Sequence, residues 1–377
     1  MKKDWCSVPF WLIISIGMVI SQGVLNAQTP FLDQARSHFA QWDMNKDGEI
    51  SVPEIDRAIA SPKTKGPTAA AAVSIRRALK GKKITVDHLT LDKLSQSVPR
   101  PADQKTKIPD YEGMYNTALK KIATSRTGLF GTEGPDLDSI SQGRLGDCYC
   151  LAPLGAMLHR DPNQVKSMFT PLEDGKVIVH LGREKVEVPP LTDGELALFA
   201  STKTQGIWVQ TYEKAMGIHL AARKKQLTTP IGAVGAGGSA GTALGLITGH
   251  RFDRFSCKPF RDEALSESEK GAKLAALRKG LDLSVREQRL ICGGTPKDVK
   301  VPGVTPNHAY AILHYDRKTD LVTFWNPHGQ TFKPKGEPGL EFGYPVAKGK
   351  FQAPLKEAVT WLAGFNWEIS EPKPSAE

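Results

Sequence analysis

A chain of 377 residues has the length for two or three domains at roughly 150 residues each, which excludes a miniprotein that must be stapled to fold. With 40% hydrophobic and 24% charged residues the composition is that of a folded globular protein, so wholesale disorder is excluded as well. Fifty basic residues against forty acidic ones give a net charge of +10, which permits an anionic partner until the basic residues have been located.

The N-terminus reads as an export signal. Lys2 and Lys3 precede an apolar run from Pro9 to Ile20, and Val24-Leu25-Asn26-Ala27 offers a small residue for cleavage. The run is too short for a comfortable membrane-spanning helix, so residues 1–27 are expected to be removed. The product would be exported, periplasmic or secreted, with no stable membrane span; the alternative is a protein anchored by the uncleaved segment, because Leu25 is bulky for its place.

Phe31, Leu32, Ala35, Phe39 and Trp42 then form a helical apolar stripe. It leads into Asp43-Met44-Asn45-Lys46-Asp47-Gly48-Glu49-Ile50-Ser51-Val52-Pro53-Glu54, which fits the twelve-residue EF-hand loop at each diagnostic place. Calcium takes about seven oxygens. Asp43, Asn45, Asp47 and Glu54 supply them from side chains, Glu49 from its carbonyl and Ser51 through water, while Gly48 permits the sharp turn. An exit helix is expected from about Pro53, where proline is tolerated. The segment from Ile84 to Leu89 repeats the pattern of Ile50 to Ile55 with His88 in place of the glutamate. It is expected to pair with the first loop without holding calcium. Arg76, Arg77, Lys80, Lys82 and Lys83 form a dense basic cluster without aromatic residues between them. That pattern lacks a stacking platform for nucleic acid and reads as a solvated face.

Residues 28–95 are therefore expected to form a small all-α EF-hand module. Residues 96–110, with Pro99, Pro101 and Pro109, are expected to be a semi-rigid connector, leaving the module separable from residues 111–372 and a tail at 373–377.

Further on, Gln142-Gly143-Arg144-Leu145-Gly146-Asp147-Cys148 is a glycine-containing turn feeding an apolar segment of helical spacing. A thiol there sits at a helix N-terminus, where the dipole favours the thiolate, the form that attacks. Among nine histidines, His308 opens the run Ala309-Tyr310-Ala311-Ile312-Leu313, a buried strand that would hold the imidazole rigidly. A second strand, Val322 to Trp325, ends in Asn326-Pro327-His328-Gly329. Asn326 is placed to fix the imidazole tautomer in a Cys/His/Asn arrangement.

The ordered motifs QGxLGDC, NHAY and NPxG together resemble the calpain-type core of the papain-like cysteine proteases. Residues 208–216 and the glycine-rich stretch from 237 are similar as well, so the likeness covers about residues 128–330. It implies an α+β, two-lobed fold, with lobes at about 111–231 and 238–372. It also implies Cys148 as nucleophile, His308 as acid/base, Asn326 as orienting residue and Gln142 as oxyanion donor. Tyr149, Cys150 and His328 depart from the family pattern, which usually has tryptophan at the first and last of these places. Other calcium sites of calpains have no matching motif in this chain.

The remaining features read as structure. Cys150, Cys257 and Cys292 are expected to be buried apolar thiols, with pairing of the last two left open. Trp208, Tyr212 and Ala215 have the spacing of packing residues. A GxGxxA pattern within residues 232–241 lacks the strand and acidic residue that dinucleotide binding needs, and is expected to be a join between the lobes. The expected function is an exported cysteine endopeptidase acting on protein or peptide, with Ca2+ as its ion and no nucleic acid partner. The alternatives are an acyl transferase on the same fold, or a non-enzymatic calcium-binding scaffold with a relic site.

Overall fold

The structure is a computed structural model, and it describes residues 29–80, 86, 89–98, 108–125, 128–223, 229–261 and 265–372. The expected export signal, Ile84 and His88, most of the proline connector and the tail lie outside these residues. Among the described residues no helix is long and apolar enough to cross a membrane.

The chain begins with helices. Thr29 caps α1 (Pro30–Trp42), and the five stripe residues are all buried on its inner face. The loop that follows carries β1 (Glu49–Ile50) and leads into α2 (Val52–Ala60), which opens on a capping box between Ser51 and Glu54 with proline in its first turn. Then come α3 (Gly66–Leu79), β2 (Leu89–Thr90) and α4 (Leu91–Ser97). The strand that pairs with the first loop is β2, five residues beyond the expected Ile84: Ile50 stands opposite Leu89, and Glu49 opposite Thr90. Thr90 then caps α4 by accepting from the Lys93 N–H, as Ser51 opens α2. Lys93 therefore holds the place that Glu54 holds in the first loop. Cation replaces carboxylate there, and the second loop has no acid at that position.

The four helices do not stand apart on a connector. α5 (Tyr111–Thr124) lies across α3, and Phe31 stacks on Tyr111 with ring centroids 5.2 Å apart. One apolar core runs without interruption from Phe31 and Ile59 to Cys150 and Trp325. Of the basic cluster read as a solvated face, Arg76 is buried and pairs with Asp56 at 2.5 Å, while half-buried Arg77 reaches the Met114 carbonyl at 3.5 Å. Lys82 and Lys83 lie outside the described residues.

After a short 3-10 turn at Leu137–Ser139 come α6 (Cys148–Arg160) and α7 (Pro162–Ser167), then an antiparallel meander of β3 (Phe169–Pro171), β4 (Val177–Leu181) and β5 (Glu184–Val188). Four helices complete this half: α8 (Asp193–Leu198), α9 (Trp208–Arg223), α10 (Pro230–Gly235) and α11 (Ala240–Thr248). Trp208, Tyr212 and Ala215 are fully buried on α9, as packing residues. The glycine-rich stretch is therefore no open join between lobes. It is built into α10 and α11, whose Ile231, Val234, Ala243 and Leu244 belong to the same core as α6.

The chain passes to the large sheet at β6 (His250–Ser256) and continues through α12 (Glu267–Arg286), β7 (Ile291–Gly294), β8 (Ala309–Asp316), β9 (Leu321–Trp325), β10 (Lys350–Pro354), α13 (Leu355–Trp361) and β11 (Gly364–Pro372). Six antiparallel strands lie in the order β10-β9-β8-β7-β11-β6. A second core, with Leu277 and Leu281 of α12 and Leu355 and Val359 of α13, covers one face of this sheet. α6 packs on the other face. In the first half of β8 the period of two divides the residues: Ala309 and Ala311 face the first core, Tyr310 and Ile312 the second, before the register shifts between Ile312 and His314. Small residues on the α6 side allow a close approach, and at Gly155 a Cβ would stand 2.3 Å from the Trp325 ring.

Candidate active site

Cys148 is the first residue of α6, and its side chain is partly exposed where the other three described cysteines are buried. The turn before it is fixed by the backbone: the Gln142 N–H donates to the Pro327 carbonyl at 2.8 Å, tying the cysteine turn to the loop after β9. Asp147 is the N-cap residue, yet its side chain makes no cap hydrogen bond to the helix. The positive end of the α6 dipole is thus not claimed by that carboxyl and acts on the thiol. Cys150 differs in each respect. It is fully buried, and burial pushes its thiol well above the ordinary range. Burial also pushes Cys292 up, and Cys257 to about 12. These two thiols are unbridged and sit in different cores, so they do not pair.

His308 immediately precedes β8, and Asn326 immediately follows β9, so adjacent strands of the sheet deliver both. His308 Nε2 lies 2.7 Å from Asn326 Oδ1. The orientation of the amide follows from its other end, where Asn326 Nδ2 donates to Thr305 Oγ1 at 3.2 Å and to the Tyr310 hydroxyl at 3.4 Å. With Nδ2 so placed, Oδ1 faces the imidazole and accepts from Nε2–H. Asn326 is fully buried and His308 nearly so, which strengthens a bond between neutral dipoles. The His308 backbone is clamped by Thr295, whose Oγ1 accepts the His308 N–H at 3.0 Å. Tyr310 joins the parts: its ring stands edge-on to His308 at 5.2 Å, and Cys148 lies within electrostatic reach of its hydroxyl. Burial, the main cause, pushes that hydroxyl to about 12, so Tyr310 stays a neutral hydrogen-bonding partner at neutral pH.

The contacts of two further side chains, His328 and the expected oxyanion donor Gln142, were not legible in the sequence. His328 stacks on His308 with centroids 4.3 Å apart and planes 17° apart, and its N–H donates to Asn326 Oδ1 at 3.0 Å. A second imidazole therefore covers one face of the first with a flat aromatic ring. Gln142 is close to Cys148 in the chain, but its Nε2 donates to Leu145 O at 3.0 Å and Asp147 Oδ1 at 2.8 Å, and its Oε1 has no partner. Both amide protons are committed within the turn.

The loop at residues 43–54, expected to hold calcium, is closed by its own hydrogen bonds. Gly48 adopts φ +82°, which suits glycine and closes the loop. Asp43 accepts from the N–H groups of Asp47 at 3.1 Å and Gly48 at 2.9 Å. Glu54 accepts from Met44 at 2.9 Å, Asn45 at 3.2 Å and Ser51 at 2.9 Å, with the Ser51 hydroxyl at 2.6 Å. Asn45 and Asp47 occupy the exposed rim. Among the described residues no three His, Cys, Asp or Glu side chains converge as a metal cluster; Glu54 is turned onto the loop's own N–H groups. The donor chemistry itself, hard oxygens around one closed turn, fits calcium. Burial opposes the Glu54 charge, but the Ser51 hydroxyl and the N–H groups of Ser51, Asn45 and Met44 outweigh it and hold the carboxyl below its ordinary 4.5. A carboxyl lowered on folding contributes stability that is present above its unfolded value and lost as pH falls through its folded value. Glu54→Gln is therefore expected to lower the melting temperature in calcium-free buffer at pH 7 but much less at pH 3. Equal losses at both pH values would show that the charge of Glu54 contributes nothing.

Residues 117–337 match the family described as calpain family cysteine protease. That is more than half of the chain, and the chain belongs to this family. The match brings with it a cysteine-type peptidase activity, a hydrolase acting on protein substrates. A comparison with curated proteins found no match.

Proposed function

We propose that the protein is an exported endopeptidase in which Cys148, His308 and Asn326 form the catalytic triad, and that the loop at residues 43–54 binds one calcium ion. The bond from His308 Nε2 to Asn326 Oδ1 carries this reading. With Nε2 committed to the amide, Nδ1 is the nitrogen that exchanges a proton with the thiol. Cys148 transfers its proton there, and the thiolate attacks the scissile carbonyl. The imidazolium protonates the leaving amine, and the acyl-enzyme is hydrolysed when His308 takes a proton from water. The Cys148 N–H and the Gln142 amide are the oxyanion donors. For this Gln142 has to release one of its two bonds, and the longer one, to Leu145 O, is exchangeable while Asp147 still holds the amide. A donor of this kind contributes about 10²–10³ in rate.

Export rests on the sequence of residues 1–27, and with it calcium binding at environmental concentrations becomes physically sensible, since extracellular sites bind at about 10⁻⁴–10⁻³ M. Asp43, Asn45, Asp47 and Glu54 would hold the ion by side-chain oxygens, Glu49 by its carbonyl and Ser51 through water. The ion would neutralise the acidic loop and stabilise the helices on either side of it by mass action.

Two measurements test the proposal. Incubation of the protein with an unfolded protein, followed by mapping of the cut bonds, is expected to show internal cleavage. His308→Ala is expected to abolish it, and Asn326→Ala to lower kcat by about 10–10³-fold with little change in KM. Transfer of the acyl group to an added amine in preference to water would replace hydrolysis with the transferase reading. Calorimetry is expected to give one calcium per chain, lost in the Asp43→Ala, Glu54→Ala double variant. Unchanged binding in that variant would move the ion elsewhere.

A further inference from the structure

Behind the cysteine turn lies a group of buried ionisable residues that the reaction described above does not use. Glu213 on α9 is fully buried, and its two carboxyl oxygens accept from the Ala200 N–H at 3.1 and 2.9 Å. The carboxyl of Asp147, which is equally buried, lies within hydrogen-bonding reach of it. Two carboxylates cannot make a hydrogen bond there, because neither has a hydrogen to give. Asp147 in turn accepts from Gln142 Nε2 at 2.8 Å through Oδ1, while its Oδ2 receives no N–H or other donor group. A proton carried by the neighbouring acid would satisfy it.

We propose that Glu213 is a positioning residue of the active site: as a buried carboxylic acid it donates its proton to Asp147, and Asp147 holds the Gln142 amide in the turn that presents Cys148. The proposal rests on the reading of Cys148 and Gln142 given above. The surroundings favour the protonated form. Burial pushes Glu213 well above the ordinary carboxyl range, and the charge of Asp147 pushes it further. The balancing cation is Lys121 of α5, which donates to the Phe199 carbonyl and faces both acids. Burial, with Arg77 of α3 and Arg144 of the turn, lowers Lys121 to about 8. One weakened cation offsets one carboxylate and not two.

The shared proton has a chemical consequence. Asp147 directly precedes the nucleophile, and an uncompensated negative pair there would oppose formation of the thiolate. With one proton between them the acids carry a single charge, which Lys121 faces. Asp147 also keeps its side chain off the α6 N–H groups, which leaves the helix dipole to act on the thiol.

The test compares Glu213→Gln with Glu213→Leu. Glutamine is neutral, can donate to Asp147 and can accept from Ala200; leucine does neither. Leucine is expected to lower kcat by about 10–10²-fold at nearly constant KM, and to move the pH profile of Cys148 alkylation by iodoacetamide to higher pH. Glutamine is expected to restore both to within about threefold of wild type. The infrared difference spectrum between wild type and Glu213→Gln at neutral pH is expected to show the carbonyl band of a protonated carboxylic acid in wild type alone. A glutamine variant as impaired as the leucine variant, or the absence of that band, overturns the proposal. If Glu213→Leu fails to fold, the glutamine variant and the spectrum decide. If wild type cleaves no protein, the function proposed above fails instead, and the alkylation profile and the spectrum still decide the role of Glu213.

Discussion

Cys148→Ala is expected to abolish peptidase activity, a loss of roughly 10⁵–10⁶-fold by comparison with nucleophile deletions in other triad enzymes, while the melting temperature changes by no more than a few degrees. The side chain is partly exposed at the first position of α6, so its removal opens no internal cavity, and alanine is a good helix former. Cys150→Ala is the informative contrast. That thiol is fully buried between Tyr149 and α9, where the Tyr212 hydroxyl donates to the Cys150 carbonyl at 3.1 Å. Its loss is expected to cost about 1–2 kcal/mol of stability as a small cavity and to leave most of the activity. Cys257→Ala and Cys292→Ala are expected to behave in the same way. Activity assays and thermal melts on the four variants check this. Turnover that persists in Cys148→Ala, or vanishes in Cys150→Ala alone, removes Cys148 as the nucleophile.

The second large effect is expected from deletion of the N-terminal helices. A chain beginning at Lys105 loses Phe31 from the rings of Tyr111 and Tyr115. It loses the Ile59 carbonyl, which accepts from Thr192 Oγ1 at 2.6 Å, and the Gly66 N–H, which donates to Asp193 at 2.7 Å. It also loses Asp56, which binds Arg76 and accepts from Thr229 Oγ1 at 3.3 Å at the start of α10. Each large apolar side chain withdrawn from a core costs about 2–5 kcal/mol, against a total stability of about 5–15 kcal/mol. The shortened chain is therefore expected to aggregate or to lose its cooperative melt, and its Cys148 to react with alkylating agents as in an unfolded peptide. A soluble monomer with a cooperative transition and full peptidase rate would show that these helices are an accessory. A milder version targets the buried ion pair: Arg76→Met leaves Asp56 uncompensated and is expected to cost about 3–5 kcal/mol.

The elements that carry Cys148, His308, Asn326 and the loop at residues 43–54 were legible because each depends on residues close in sequence. Cys148 at a helix start, His308 at a strand mouth and Asn326 at a strand end each follow from local pattern, and the structure delivers the last two from neighbouring strands. What was not legible depends on contacts far apart in sequence. Arg76 reads as one of five surface cations until Asp56, twenty residues earlier, is seen beside it. Ile84-Thr85 and Leu89-Thr90 are equally good two-residue strands, and the choice is made by the Thr90 cap onto Lys93 and by the pairing of Leu89 with Ile50. Glu213 sits in a helix of packing residues, and nothing in its neighbours Tyr212 and Lys214 signals an acid facing inward. His328 occupies a turn where sequence alone cannot say which ring it covers.

The division of β8 between two cores fixes more than packing. A slip of one residue in its register would bring the Tyr310 ring to the face where α6 lies and Ala309 to the face covered by α12. Both cores resist that exchange at once, so the strand has no neighbouring setting to occupy. The position of the imidazole is thereby set in whole steps of the register rather than tuned. An inserted or deleted residue from Ala309 to Ile312 would carry His308 to the wrong side of the sheet, whereas the irregularity between Ile312 and His314 and the Asp316–Asp320 turn lie outside the division and can change length without the imidazole registering it.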